Sequence, residues 1–90
     1  MDKPIKIELF YTLSCSNCKI MKRLLEEVLK EYENKFEIKY TLANMPVGMV
    51  RTMKLGIHSV PTLLINDEIA FRSVPTKLEL INKLNKHIHN

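Results

Sequence analysis

The sequence predicts an α/β fold, a four-stranded mixed sheet with helices on both faces and its elements in the order βαβαββα. Three observations predict it. Apolar residues alternate with a period of two over two separate stretches, as half-buried strands require. Between those stretches the period changes to three and four, which marks an amphipathic helix. Two closely spaced strand signals then follow a short helical stretch and precede a final helical pattern.

In the first strand Ile5, Ile7, Leu9 and Tyr11 alternate with Lys6, Glu8 and Phe10. Ile20, Met21, Leu24, Leu25, Val28, Leu29 and Tyr32 give the first helix a wide apolar stripe, with Asn34 as its stop. Phe36, Ile38, Tyr40 and Leu42 form the second strand. Two strands joined by one helix should lie parallel, with a right-handed crossover.

Asn44 offers a cap and Pro46 suits a first helical turn. Met45, Met49, Val50 and Met53 continue as a short helix ended by Gly56. The three methionines at helical spacing read as core packing or as an adaptable rim beside a site, rather than as copper ligands. Val60 to Ile65 is a nearly continuous apolar strand signal, and Asn66-Asp67 can supply a tight hairpin before Ile69 to Arg72 returns. Val74-Pro75-Thr76 opens a last helix carrying Leu78, Ile81, Leu84 and Ile88.

Ninety residues are expected to form one domain over 1–90, because a second core would have too few residues to close. The apolar fraction of 46% is too high for disorder. The opening MDKPIKIELFYTL lacks the features of a secretory signal, so the cytoplasm is the expected address. No apolar run approaches the ~20 residues that cross a bilayer. The net charge of +4 comes from 14 basic and 10 acidic residues that are interspersed, as in KRLLEEVLKEYENK. That pattern describes a solvated surface and points away from nucleic-acid or membrane partners.

The chemistry concentrates in Y-T-L-S-C-S-N-C-K, where Cys15 and Cys18 are the only cysteines. They fall where a strand ends and a helix begins, with Ser14 or Ser16 as the expected cap. Free backbone N–H groups and the positive end of the helix dipole favour an anion there. The reactive form of cysteine is the thiolate, and such helix ends lower a thiol pKa from about 8.5 toward or below 7. Residues three apart on a helix lie about 5–6 Å apart, within reach of a disulfide. Cys15, before the first full turn, should be the exposed attacker. Cys18, next to the apolar stripe, should be the buried resolver. Lys19, Lys22 and Arg23 add positive charge nearby.

The strand–C-x-x-C–helix unit, the stretch G-I-H-S-V-P-T from Gly56 to Thr62 and the full element order resemble the thioredoxin–glutaredoxin superfamily. The small archaeal thioredoxin/glutaredoxin-like proteins are especially similar, through K-I-E-L-F and V-P-T. The resemblance spans essentially the whole chain and implies a thioredoxin fold. It also implies that Pro61 is cis and faces the cysteine pair, and that the backbone of Val60 pairs with a bound substrate segment. Tyr11-Thr12 resembles the tyrosine-threonine before the cysteines of glutaredoxins, which places Tyr11 at the site.

The chain departs from the family at three places. Ser14 stands where thioredoxins carry tryptophan, and Ser16-Asn17 replace Gly-Pro. Leu9 occupies the position of their buried aspartate, while Glu8 should point to the other side of the strand. Ala70-Phe71-Arg72-Ser73 replaces the Gly-Gly and Asp with which glutaredoxins hold glutathione, which favours protein disulfides as substrates. His58 reads as an ordinary loop histidine.

The expected activity is therefore thiol–disulfide exchange on disulfide-containing proteins, by a monomer that an upstream thiol reductase regenerates. It needs no bound cofactor, since the cysteines carry the electrons. The alternative is a metal-binding module, an iron–sulfur or zinc carrier built on the same pair. One pair supplies only half of a usual four-ligand site, so it would have to borrow ligands or dimerise.

Overall fold

A computed structural model describes residues 3–88. Its elements are β1 (Ile5–Tyr11), α1 (Ser16–Leu29) running into a 3-10 turn (Lys30–Tyr32), β2 (Phe36–Leu42), α2 (Pro46–Leu55), β3 (Thr62–Ile65), β4 (Glu68–Phe71) and α3 (Lys77–Ile88). The strands lie in the order β2-β1-β3-β4. β1 runs parallel to β2, with Ile5 opposite Phe36 and Tyr11 opposite Leu42. It runs antiparallel to β3, with Phe10 opposite Thr62, and β4 closes the sheet antiparallel to β3.

The alternation along β1 divides the core. Ile7 and Leu9 meet Met21, Leu25 and Val28 of α1 and Leu80 and Leu84 of α3 on one face. Phe10 and Leu64 meet Ile57 and Leu55 on the other, beneath α2. Glu8 also points to the α2 face. It is buried there, accepting hydrogen bonds from Thr41 Oγ1 at 2.5 Å and from Arg51 Nε at 3.2 Å and Nη2 at 2.5 Å. Lys39 Nζ stands 4.0 Å from the same carboxylate.

Several local expectations are corrected. Met45, Met49 and Met53 are exposed, by 53%, 51% and 81%, so they do not pack the core. The inward side of α2 is Gly48, Arg51, Thr52 and Leu55, and the methionines fall on the opposite side of that turn. Gly48 is required because a Cβ there would overlap the Leu42 carbonyl oxygen. Ile20 and Leu78 are likewise exposed, and Leu80 takes the core position in α3. The N-cap of α2 is Met45 rather than Asn44. The first helix gives way to a 3-10 turn after Leu29, short of the stop expected at Asn34.

The turn chemistry matches its residues. Gly56 ends α2 with φ of 69°, a left-handed conformation that glycine adopts without steric cost. Asn66 and Asp67 take φ of 51° and 65°, as a two-residue hairpin requires. β3 begins at Thr62 rather than Val60, and the cis peptide Val60-Pro61 stands outside the ladder. α3 opens with a capping box in which the Thr76 N–H donates to Glu79 Oε1 (2.8 Å) and the Glu79 N–H to Thr76 Oγ1 (3.1 Å). No helix among the described residues is long and apolar enough to cross a membrane.

Candidate active site

Parallel pairing leaves the C-terminal end of β1 without a hairpin partner, so the chain must turn there into α1. The turn is tight, with the Cys15 N–H donating to the Thr12 carbonyl at 3.3 Å. Cys15 itself is the N-cap, in extended conformation, and its Sγ accepts the Cys18 N–H at 3.0 Å. The expected serine cap is thus replaced by sulfur. Ser14 and Ser16 are exposed, and the cap position falls between them.

This geometry bears directly on the chemistry. A sulfur that accepts a backbone N–H at a helix N-terminus is stabilised more as an anion than as a neutral thiol. No acidic residue in the first turn of α1 opposes that effect. Cys15 is partly exposed, whereas Cys18 is 3% exposed. Their Cα atoms are 5.2 Å apart and the sulfurs are joined as a disulfide. One sulfur faces outward and the other lies one turn behind it.

Cys18 is not sealed from solvent. A cavity of about 260 Å³ reaches it, walled by Leu9, Tyr11 and Tyr40 and flanked by Lys19 and Lys22. Tyr11 and Tyr40 pack edge to face, their ring centroids 6.5 Å apart. Lys22 Nζ lies over the Tyr40 ring, 5.2 Å from its centroid. Burial raises the Tyr40 phenol above its ordinary value of 10.0, and the nearby Glu26 carboxylate adds to the rise. Of the three basic residues expected near the pair, Arg23 does not line this cavity.

The other expected site residues come from the loop before β3. Because Phe10 pairs with Thr62, Pro61 lies just past the end of β1 from which the cysteine turn departs. Pro61 is buried, and the Thr62 hydroxyl donates to the Ser59 carbonyl at 2.7 Å, tightening the loop. Val60 lines a separate shallow depression with Ile57, His58 and Ser59. No turn or loop hydrogen bond among the described residues uses its backbone. The structure therefore gathers Tyr11 and Cys18 around one cavity and sets Val60 on another.

Sequence reasoning missed Tyr40 and the placement of Lys22. Both had a signal. Lys22 is one helical turn beyond Cys18, and the parallel register sets Tyr40 beside Leu9. The partly buried Glu8–Arg51 pair was also missed, since nothing in the sequence links residues 43 apart. Among the described residues no three His, Cys, Asp or Glu side chains come together as a metal site would need.

Comparison with known proteins agrees with this geometry. A family model described as a thioredoxin domain matches residues 5–85. A thioredoxin of Methanocaldococcus jannaschii is 36% identical over 84 residues, which cover 93% of this chain and 96% of that protein. A thioredoxin of Haemophilus influenzae is 30% identical, covering 97% and 82%. A solved structure of thioredoxin-2, a component of malaria parasite protein secretion machinery, superposes with a TM-score of 0.77. It is 19% identical and covers 97% of this chain and 86% of that one, a likeness of fold. With the model match and these relatives extending along nearly its whole length, the chain belongs to the thioredoxin domain family.

Proposed function

We propose that the protein reduces disulfides in other proteins, with Cys15 as the attacking thiolate and Cys18 as the resolving thiol. Thiol–disulfide oxidoreduction is the activity that the C-x-x-C pair and the family membership support. The observation that carries the division of roles is the contrast between a partly exposed Cys15 at the helix N-cap and a buried Cys18 behind it.

Two exchanges make up the reaction. The Cys15 thiolate attacks one sulfur of the substrate disulfide, forming a mixed disulfide and expelling the other substrate sulfur as thiolate, which takes up a proton. Cys18 then loses its proton and attacks Cys15 Sγ, forming the internal disulfide and releasing the second substrate thiol. The substrate gains two electrons and the protein loses two, so an upstream thiol reductase must restore the dithiol. The working unit in this reading is one chain in a reducing compartment, the cytoplasm.

Val60 and Pro61 present the substrate. The unused backbone groups of Val60 are free to pair with an extended substrate segment. Tyr11 and exposed Leu13 border the cysteine turn and supply apolar contact.

Turnover of insulin disulfides with dithiothreitol tests the proposal. Cys15→Ser should abolish turnover, and Cys18→Ser should trap the mixed disulfide through Cys15. An inactive wild-type protein that copurifies with about half an equivalent of zinc or iron per chain would instead establish the metal-carrying alternative.

A further inference from the structure

Resolution requires Cys18 to give up a proton although it is 3% exposed. Burial opposes the thiolate, so something near Cys18 must offset it. The cavity that reaches Cys18 holds no carboxylate, for none of its lining residues is acidic. Leu9, one of the strand residues lining this cavity, is apolar. Glu8 is turned to the opposite face of the sheet and engaged by Arg51 and Thr41.

Besides Cys18, the polar residues that line the cavity are Tyr11, Thr12, Tyr40, Lys19 and Lys22. Lys22 stands out on two grounds. It is four residues beyond Cys18, the spacing that places two side chains one above the other on a helix. Its ammonium is also held over the Tyr40 ring, which is braced in turn by Tyr11. Lys19 follows Cys18 directly and leaves the helix in another direction. Glu26, one turn beyond Lys22, adds to the rise of the Tyr40 phenol, and no ion pair joins it to Lys22 within 4.0 Å.

We propose that Lys22, seated on Tyr40, is the cation that stabilises the Cys18 thiolate, and that the cavity is the water path by which the Cys18 proton leaves. The proposal deepens the reading of Cys18 as resolving thiol and rests on it. Cys18 passes its proton to cavity water, its thiolate attacks Cys15 Sγ, the bond from Cys15 to the substrate breaks, and the departing substrate thiolate takes a proton from solvent. Charge and electrons balance with no buried acid or base. Lys22 acts only through its field. Tyr40 is a positioning residue.

The test uses the full chain carrying Cys15→Ser, so that Cys18 is the lone thiol, and follows thiolate absorbance near 240 nm against pH. Adding Lys22→Gln should move the Cys18 midpoint upward by about half a pH unit to one unit, given the attraction an opposite charge exerts at this range. Lys22→Arg should restore most of the shift. Tyr40→Phe, which keeps the ring, should leave the midpoint in place, while Tyr40→Leu should raise it. A midpoint unchanged in Lys22→Gln, or raised equally in Lys22→Gln and Lys22→Arg, would overturn the proposal. Because this titration involves no turnover, its outcome is independent of whether the wild-type protein reduces insulin.

Discussion

At the scale of single residues, sulfur and carboxylate are both placed by what donates to them. Cys15 caps a helix and receives a backbone N–H. Glu8 lies between strands and α2 and receives a hydroxyl and a guanidinium. The side chain of Glu8 is 9% exposed and that of Arg51 34%, so the pair is sheltered on one side only. Removing Arg51 would leave a buried charge short of donors. Arg51→Ala is therefore expected to cost about 2–3 kcal/mol of stability in urea unfolding. Met53→Ala, on the exposed side of the same helix, should stay within about 0.5 kcal/mol. Equal effects would show that the guanidinium contributes little.

The two cysteines were legible in the sequence, because C-x-x-C at a change from period two to period three and a half specifies both their separation and their helix end. Glu8 was legible in part. Alternation put it opposite Leu9, but its partners come from β2 and α2, and a single sequence does not encode which distant residues meet. The cap was misread for a different reason. Serine is the commoner capping residue, and both neighbours of Cys15 are serines, so propensity outweighed position.

At the scale of elements, order and pairing followed from periodicity, whereas faces of short helices did not. In α2 Val47, Met49, Val50 and Met53 are exposed, and the inward turn is occupied by Gly48, Arg51, Thr52 and Leu55. Hydrophobicity alone selects the wrong face there, since the helix approaches the sheet closely at a glycine and over the Glu8–Arg51 ion pair. In α3 the same error fell on Leu78, because Leu78 and Leu80 lie on different sides of one turn and either could begin the stripe. The signal that fixes α3 is its capping box, Thr76-Lys77-Leu78-Glu79.

That box makes a prediction about acid. The Glu79 carboxyl is held below its ordinary value of 4.5 by hydrogen bonds from the Thr76 backbone and side chain. A lowered carboxyl contributes stability that is fully present above the ordinary value and is lost as pH falls through the lowered one. Glu79→Ala, which removes the carboxylate that accepts the Thr76 N–H, should therefore lower stability near neutral pH. The difference from wild type should shrink as the medium is acidified below the ordinary glutamate range. Thermal unfolding followed by circular dichroism at several pH values measures it. A penalty that is the same in acid would mean that Glu79 takes no part in the cap.

At the scale of the whole molecule, one sheet carries a core on each face and places the reactive turn at the end of its inner strand β1. The turn that follows β1 and the loop that precedes β3 emerge from the same end, since those strands run antiparallel with Phe10 opposite Thr62. This end of the sheet can therefore bring an exposed sulfur and an unpaired stretch of backbone to one substrate. The topology was legible because crossover handedness and hairpin chemistry leave few alternatives. The cavity behind Cys18 was not, because its walls come from three elements whose side chains meet only after folding.

All of this depends on Cys15 ionising more readily than an ordinary thiol while Cys18 stays shielded. Alkylation of each cysteine in the reduced protein, resolved by mass spectrometry across a range of pH, reads that difference directly. Cys15 should react far faster than Cys18 at neutral pH, with a midpoint well below the ordinary thiol value of about 8.5. Equal and slow alkylation of both cysteines, or faster alkylation of Cys18, would contradict it.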